Sequence, residues 1–489
     1  MSSQSRTHPR RRALLWVVGG LVVALLAGGV FVAVTLRSNI TVVDVNDALS
    51  APSPVTLPAA RAGQTASPPE PTQPVNILVM GSDTRQGQGD GFGSAELIDG
   101  ARSDTTLLVH LSADREDVTV VSIPRDLVVD VPSCTLPDGT TSPAYTDRFN
   151  SAFEVGGPEC TIRTVTELTG LPVQHFVVVD FTAFEKTVDA LGGVEVCLTR
   201  AVDDPLSGLD LPAGISRVDG EQGLAFVRAR TSLGDGSDLA RIERQQAFLG
   251  SLVREATSRE LLTDPIRLFR TLDAATESLS MDSGLAWLPQ SAAMARSLAG
   301  ISPSQVSFVT YPYVYNDDFL TVRPDEAQAM LLVEVLAADA DWPFPPSTKV
   351  DLAPSGVSLT VVNATGRDEQ ATIVGSALAT QGFGVAGLRA APEQTPTQVR
   401  YPTWAEGAAT TVAAAVAGAT LVPDDSLGGV TLVLGTDWGV GDLRTVAVKR
   451  APADTTTPAP SDDASPWQQP DETSTGDGTS TADTATCAS

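Results

Sequence analysis

Three observations predict an α/β or α+β main domain followed by a small, separate α/β module. Three apolar runs, residues 77–80, 106–111 and 118–123, have the length and β-branched content of buried strands. Amphipathic helical patterns follow them at 161–169 and 181–191, with Gly170 and then Gly192 and Gly193 as stop signals. A Pro-rich break at 343–349 precedes a second strand and helix series that opens at Val357. Alternation of strands with helices is the pattern of folds built in layers around a sheet.

The 489 residues set an expectation of two or three domains plus extensions. Asp and Glu number 59 against 32 Lys and Arg, a net charge of −27. This balance argues against a nucleic-acid partner and against general adhesion to an anionic surface, while leaving room for a local basic pocket. The positive charge is nearly all arginine, with lysine only at 186, 349 and 449. Phosphate binding would therefore use planar forks rather than point charges.

In chain order, residues 1–12 form a polar leader ending in Arg10, Arg11 and Arg12. Residues 13–36 are apolar and uncharged, and Arg37 closes the run. At about 1.5 Å per residue this crosses a hydrocarbon core of about 30 Å. A cleaved signal peptide is the competing reading, but the run is long for one and no small-residue cleavage site follows promptly. Basic residues before the run place the N-terminus in the cytoplasm and the body outside, as a single-pass membrane protein. Residues 37–74, rich in Pro, Ala, Ser and Thr, read as a tether. The main domain is expected over 75–346, with a further strand at 173–179. Arg228 and Arg230 lie two apart and would share one face of a strand.

The most informative helix is 241–256. Its apolar stripe of Phe248 and Leu252 continues toward the helix start as Arg241, Arg244 and Gln245. A buried face that turns polar marks a site; a solvated first turn is the alternative. Asp238 stands where an N-cap is expected. A linker at 347–356 leads to the second module at 357–448, and residues 449–489 have a composition that predicts disorder. Cys134 and Cys160 flank a loop-rich insertion, and an exported domain would pair them. Cys197 is expected as a free buried thiol, and Cys487 as a tail residue that constrains no core. His110 and His175 read as core or edge residues.

Polar residues gather at the ends of the three strands. Asp83 and Arg85 follow the first, Arg102 and Asp104 precede the second, and Arg125 and Asp126 follow the third. Asp83 and Asp104, with phosphate oxygens and water, would suit Mg²⁺ or Mn²⁺. Arg85, Arg102, Arg125, Arg228, Arg230 and Arg244 would clamp a diphosphate by charge-assisted bonds. Such a set stabilises a diphosphate leaving group while an acceptor hydroxyl attacks the adjacent carbon or phosphorus. Asp104 is the candidate base. Any single Arg–Asp pair can instead be a structural salt bridge. The stretch GSDTRQGQG lacks the Lys-Ser/Thr ending of a P-loop, and no G-x-S-x-G elbow occurs.

Residues 75–256 resemble the LytR-CpsA-Psr family of cell-envelope proteins. The matching motifs are NILVMGSDTR (76–85), RSDTTLLVH (102–110), VSIPRD (121–126), DRFNSAFEVGG (147–157), DGEQGLAFVRAR (219–230) and GDGSDLARIERQQAFL (234–249). Residues 357–438 look like the LytR-type C-terminal module that often follows, with VVNATG, GFGV and LVLGTD as markers. The resemblance implies an α-β-α sandwich-like catalytic domain, a mixed central sheet flanked by helices. It implies a Mg²⁺-dependent phosphotransferase that moves a glycopolymer from a polyprenyl-diphosphate carrier to a peptidoglycan hydroxyl. Asp83 and Asp104 match the metal-associated aspartates; Arg102, Arg125, Arg228, Arg230 and Arg244 match the diphosphate-binding arginines. Asp238, Arg241 and Gln245 match further motif positions. Arg148 replaces the lysine that many members carry before x-Asn, keeping the charge. The resemblance also implies an apolar tunnel for the prenyl chain, with Phe153, Phe176, Phe181, Phe226, Phe248 and Leu252 as lining candidates or plain core. A non-catalytic polyprenyl-phosphate-binding regulator and a polyprenyl-diphosphate hydrolase are the alternatives.

Overall fold

The computed structural model describes residues 32–49, 73–82, 103–229, 238–286 and 301–449 apart from isolated positions, with short segments at 467–468, 479–481 and 485–487. Its central sheet has β1 (Thr41–Val42), β2 (Val75–Ser82), β3 (Ser103–Leu111), β4 (Val118–Ile123), β5 (His175–Asp180), β6 (Leu279–Met281), β7 (Val306–Thr310) and β8 (Thr479–Thr481). Their spatial order is β1-β6-β5-β2-β3-β4-β7-β8. β2, β3 and β4 form an antiparallel meander, and β5 and β7 join its two sides in parallel. The sheet is mixed, as the sequence resemblance implies.

Helices cover both faces. Leu78, Met80, Leu108 and Val121 pack on one face with Ile162 and Val165 of α1 (Ser151–Thr169). On the other, Leu107, Val120 and Phe308 meet Leu249 and Val253 of α4 (Asp238–Ala256). Coverage on both sides explains why the strands read as continuous apolar runs rather than strict alternation. A third cluster, with Val188, Phe226 and Phe248, lies among α2 (Phe181–Leu191), α3 (Gly220–Arg228) and α4. Phe226 and Phe248 are 2% and 1% exposed, and Phe153 and Phe176 belong to the first core, so these four rings are packed core in this structure.

α2 spans the predicted 181–191; Asp180 caps it by accepting from Ala183 N at 2.7 Å, and Gly192 ends it at φ 80°. α1 is longer than predicted. Gly156, Gly157 and Pro158 hide its first half, and Gly157 kinks it at φ 61°. Gly156 has a packing reason: an added Cβ would lie 2.7 Å from the Cys160 Cβ and 3.5 Å from that of Cys134. The Cys134–Cys160 disulfide lies there, closing 26 residues of chain. Removing it with Cys134→Ser and Cys160→Ser is expected to destabilise the domain by about 3–4 kcal/mol on the chain-entropy account. Urea unfolding midpoints at constant slope check this, and an unchanged midpoint would contradict it.

The expectations for the other two cysteines are corrected. Cys197 is bonded to Cys487, with Cα atoms 4.6 Å apart. The reason is an open sheet edge: β7 has backbone groups to pair, and β8 from the tail takes them in antiparallel register. That pairing brings the end of the chain back to the main domain, which no local sequence pattern announces.

His110 and His175 are core groups. The His110 ring meets Asn76 Oδ1 at 2.8 Å and Asp339 Oδ1 at 3.1 Å; the His175 ring meets Asp282 Oδ1 at 3.0 Å. Burial works to raise the carboxyls of Asp282 and Asp339, but bonds from the histidines and from backbone N–H groups outweigh it and both are lowered. Each therefore stabilises the fold above the ordinary carboxylate value of 3.8 and loses that contribution as pH falls below it, through the depressed folded-state value. Thermal melts are expected to drop below about pH 4, and Asp282→Asn with Asp339→Asn should flatten that acid limb. An unchanged limb in the double variant would contradict the assignment.

The second module has a five-stranded sheet in the order Gly384–Ala390, Ser358–Asn363, Val430–Leu434, Gln398–Tyr401, Thr420–Pro423. Gln370–Thr380 and Glu406–Ala415 are its helices. α5 (Glu326–Ala337) is shared: Leu332 and Leu336 face the first core, Leu331 and Val335 the module's core. Among the described residues no helix is long and apolar enough to cross a membrane. The leader and most of the expected span at 13–36 lie outside the described residues, as does most of the tail.

Candidate active site

Three strand ends meet at one end of the central strands of the sheet. Ser82, the last residue of β2, pairs with Ser103, the first of β3, and with Asp180, the last of β5. β4 runs antiparallel to β3 and pairs its last residue, Ile123, with Thr106. The turn carrying Arg125 and Asp126 therefore leaves the sheet where Asp104 enters it. Arg125 Nη1 donates to Asp104 Oδ1 at 2.8 Å, and its Nε lies 3.4 Å from Asp126 Oδ2. Arg148 Nη1 donates to Asp126 Oδ1 at 3.2 Å. The result is a charge chain, Asp104–Arg125–Asp126–Arg148. Asp104 and Arg125 have side-chain exposures of 32% and 19%, so the pair is partly desolvated yet open to a ligand.

α4 supplies the next groups. Arg241 and Arg244 are 3% and 4% exposed, which excludes a solvated first turn. Arg241 Nη2 donates to the Asp104 carbonyl at 3.3 Å, and Arg244 Nη2 donates to the carbonyl of Ala229. Gln246 holds the helix to the sheet, donating to Ser122 Oγ at 3.1 Å and Thr310 Oγ1 at 3.2 Å. Gln245 is half-buried. Asp238, expected as the cap, is instead the first residue of α4, and its side chain lies outside what is described.

Arg228 is corrected from strand to helix. It ends α3, which Asp219 caps by accepting from Gln222 N at 3.0 Å. The apolar stretch before it is too short to separate helix from strand, and the cap decides. Arg228 is exposed, with its Cζ 4.9 Å from the Phe181 ring centroid. Since Phe181 follows Asp180 directly, Arg228 stands at the same sheet end. Asp83, Arg85, Arg102 and Arg230 lie outside the described residues.

The structure gives a part in this site to residues for which the sequence suggests none here. Asp126 joins two arginines; its place beside Arg125 in the IPRD stretch was the available signal. Gln246 and the Phe181 contact had none, because both depend on long-range packing. Among the described residues no group of three or more His, Cys, Asp or Glu converges as a metal's ligand set. Asp104 offers one carboxylate at the lip, so a divalent cation here would complete its shell with phosphate oxygens and water. That is how Mg²⁺ is usually held, and the donor set fits it in that sense.

A protein-family model described as the LytR_cpsA_psr family matches residues 32–332. A second, described as LytR cell envelope-related transcriptional attenuator, matches 356–438. The chain is 32% identical over 347 residues to the cell wall biosynthesis protein LcpA of Corynebacterium glutamicum, covering 64% of this chain and 66% of that protein. It is 37% identical over 232 residues to the probable cell wall biosynthesis protein LcpB of the same species, covering 46% and 51%. It is also 33% identical over 189 residues to TagT of Bacillus subtilis, named a polyisoprenyl-teichoic acid–peptidoglycan teichoic acid transferase, covering 37% and 53%. The chain thus spans between 51% and 66% of the length of these relatives.

Proposed function

From the premise that this chain belongs to the LytR-CpsA-Psr family, we propose that it transfers a glycopolymer from a polyprenyl-diphosphate carrier to a peptidoglycan hydroxyl. The observation that carries the reading is the charge chain Asp104–Arg125–Asp126–Arg148, closed by the buried Arg241 against the Asp104 backbone. Opposed carboxylates fix the guanidiniums in place, and the guanidiniums then face a polyanion without having to reorganise. The name of TagT supports the substrate class.

In the proposed reaction the acceptor oxygen attacks the phosphorus that bears the glycopolymer sugar. A new P–O bond forms, the bridging P–O bond of the diphosphate breaks, and polyprenyl monophosphate leaves. The acceptor proton passes to the Asp104 carboxylate, which Arg125 holds in orientation. Arg125, Arg148, Arg228, Arg241 and Arg244 bind the diphosphate and oppose the charge that grows on the leaving phosphate. A divalent cation, when bound beside Asp104, would supply further charge neutralisation.

We place the body outside the cell beside the outer leaflet, on the support of the apolar run 13–36 and the arginines before it. Carbonate-resistant membrane association that is lost on deleting 13–36 checks the anchor. The function is checked with the full chain in detergent, a lipid-diphosphate oligosaccharide and peptidoglycan. Transfer is the expected result, and failure with every wall acceptor would overturn it.

A further inference from the structure

Arg228 lacks the buried setting of Arg241 and Arg244; it is exposed at the end of α3. A long side chain in that position keeps much of its rotamer freedom unless a neighbour holds it. The neighbour is a ring, with Phe181 centred 4.9 Å from the Arg228 Cζ. The pairing is built into the two helices. α3 begins at Gly220, where an added Cβ would lie 2.3 Å from the backbone oxygen of Glu185 in α2. Gly220 N also donates to Asp189 Oδ1 at 2.8 Å. The start of α3 is locked to the far half of α2, and its last residue returns over the first residue of α2.

Glu185 lies one turn beyond Phe181 on the same side of α2. Burial raises its carboxyl, the charges of Glu221 and Asp189 add to this, and Arg228 opposes it. Arg228 thus lies within electrostatic reach of Glu185, while its close side-chain contact among the described residues is with the ring. Phe181 itself follows Asp180, whose pairing with Ser82 sets it at the sheet end from which the candidate site opens.

From this juxtaposition we infer that Phe181 is a positioning residue that presents Arg228 to the diphosphate. The inference rests on the reading of this crevice as a diphosphate site. Its physical content is a difference between two kinds of partner. A carboxylate, as at Arg125, takes up N–H donors at the edge of the guanidinium. An aromatic face attracts the cation through its quadrupole and takes none of the five donors. Arg228 is therefore oriented while its donors stay available to phosphate oxygens.

The test is calorimetric titration of the full chain in detergent with inorganic pyrophosphate and, separately, farnesyl diphosphate. Phe181→Leu is expected to weaken both about three- to tenfold, and Phe181→Trp to restore wild-type affinity. In an Arg228→Ala background, Phe181→Leu should have no further effect. The same loss in that background would overturn the inference. A loss confined to farnesyl diphosphate would do so too, since the ring would then serve the prenyl chain. If Arg228→Ala weakens binding and Phe181→Leu does not, only the positioning role fails. If the wild type binds neither probe, the diphosphate reading fails with it.

Discussion

Arg125→Ala is expected to lower kcat/KM for glycan transfer by about 100- to 1000-fold, the range seen when one donor to a developing negative charge is removed. Arg125 is the middle of the charge chain, bonded to Asp104 and beside Asp126. Its loss removes a phosphate ligand and releases both carboxylates to repel the incoming diphosphate. Stability should fall by about 1–3 kcal/mol, because removing one partner of this half-buried pair leaves the Asp104 carboxylate partly desolvated and unpaired. Arg125→Lys should recover little, since a point charge cannot span two carboxylates and a phosphate. Steady-state kinetics beside thermal melts check the prediction. Transfer at the wild-type rate in a folded Arg125→Ala protein would remove Arg125 from the site.

The second large effect is expected from Asp104→Asn. The amide keeps the shape and can still accept from Arg125, but it cannot take the acceptor proton. kcat should fall about 100- to 10,000-fold, the usual reach of general-base catalysis, while the KM for the lipid donor stays within a few-fold. Asp126→Asn is the companion. It touches Arg125 and Arg148 but has no proposed part in proton transfer, so its effect should fall on donor KM. Equal kcat losses in the two variants would contradict the assignment of the base.

Much of this site is legible in the sequence because its polar residues sit at the ends of recognisable strands. The runs at 106–111 and 118–123 place Asp104 and Arg125 at one sheet end as soon as the two strands pair antiparallel. The interrupted stripe of 241–256 foretells the buried arginines, since only a site or a partner justifies charge on a core-facing side. What fails is long-range or ambiguous. Arg228 reads as strand because a few apolar residues fit either period, and the cap at Asp219 is the better guide. The first half of α1 is hidden by glycines whose reason is the disulfide packed on Gly156. The Cys197–Cys487 bond joins positions 290 residues apart and follows from a strand added at a sheet edge, which local pattern cannot reveal.

The central claim is attack at phosphorus within this crevice, and the lipid product tests it most directly. Full-length protein, a lipid-diphosphate oligosaccharide and peptidoglycan are incubated, and the prenyl product is identified by mass spectrometry beside the modified wall fragment. The account predicts polyprenyl monophosphate, released in equal amount with a phosphodiester-linked glycan, and both reduced about 100- to 1000-fold in Arg125→Ala. Release of polyprenyl diphosphate with a glycan joined directly through carbon would contradict it.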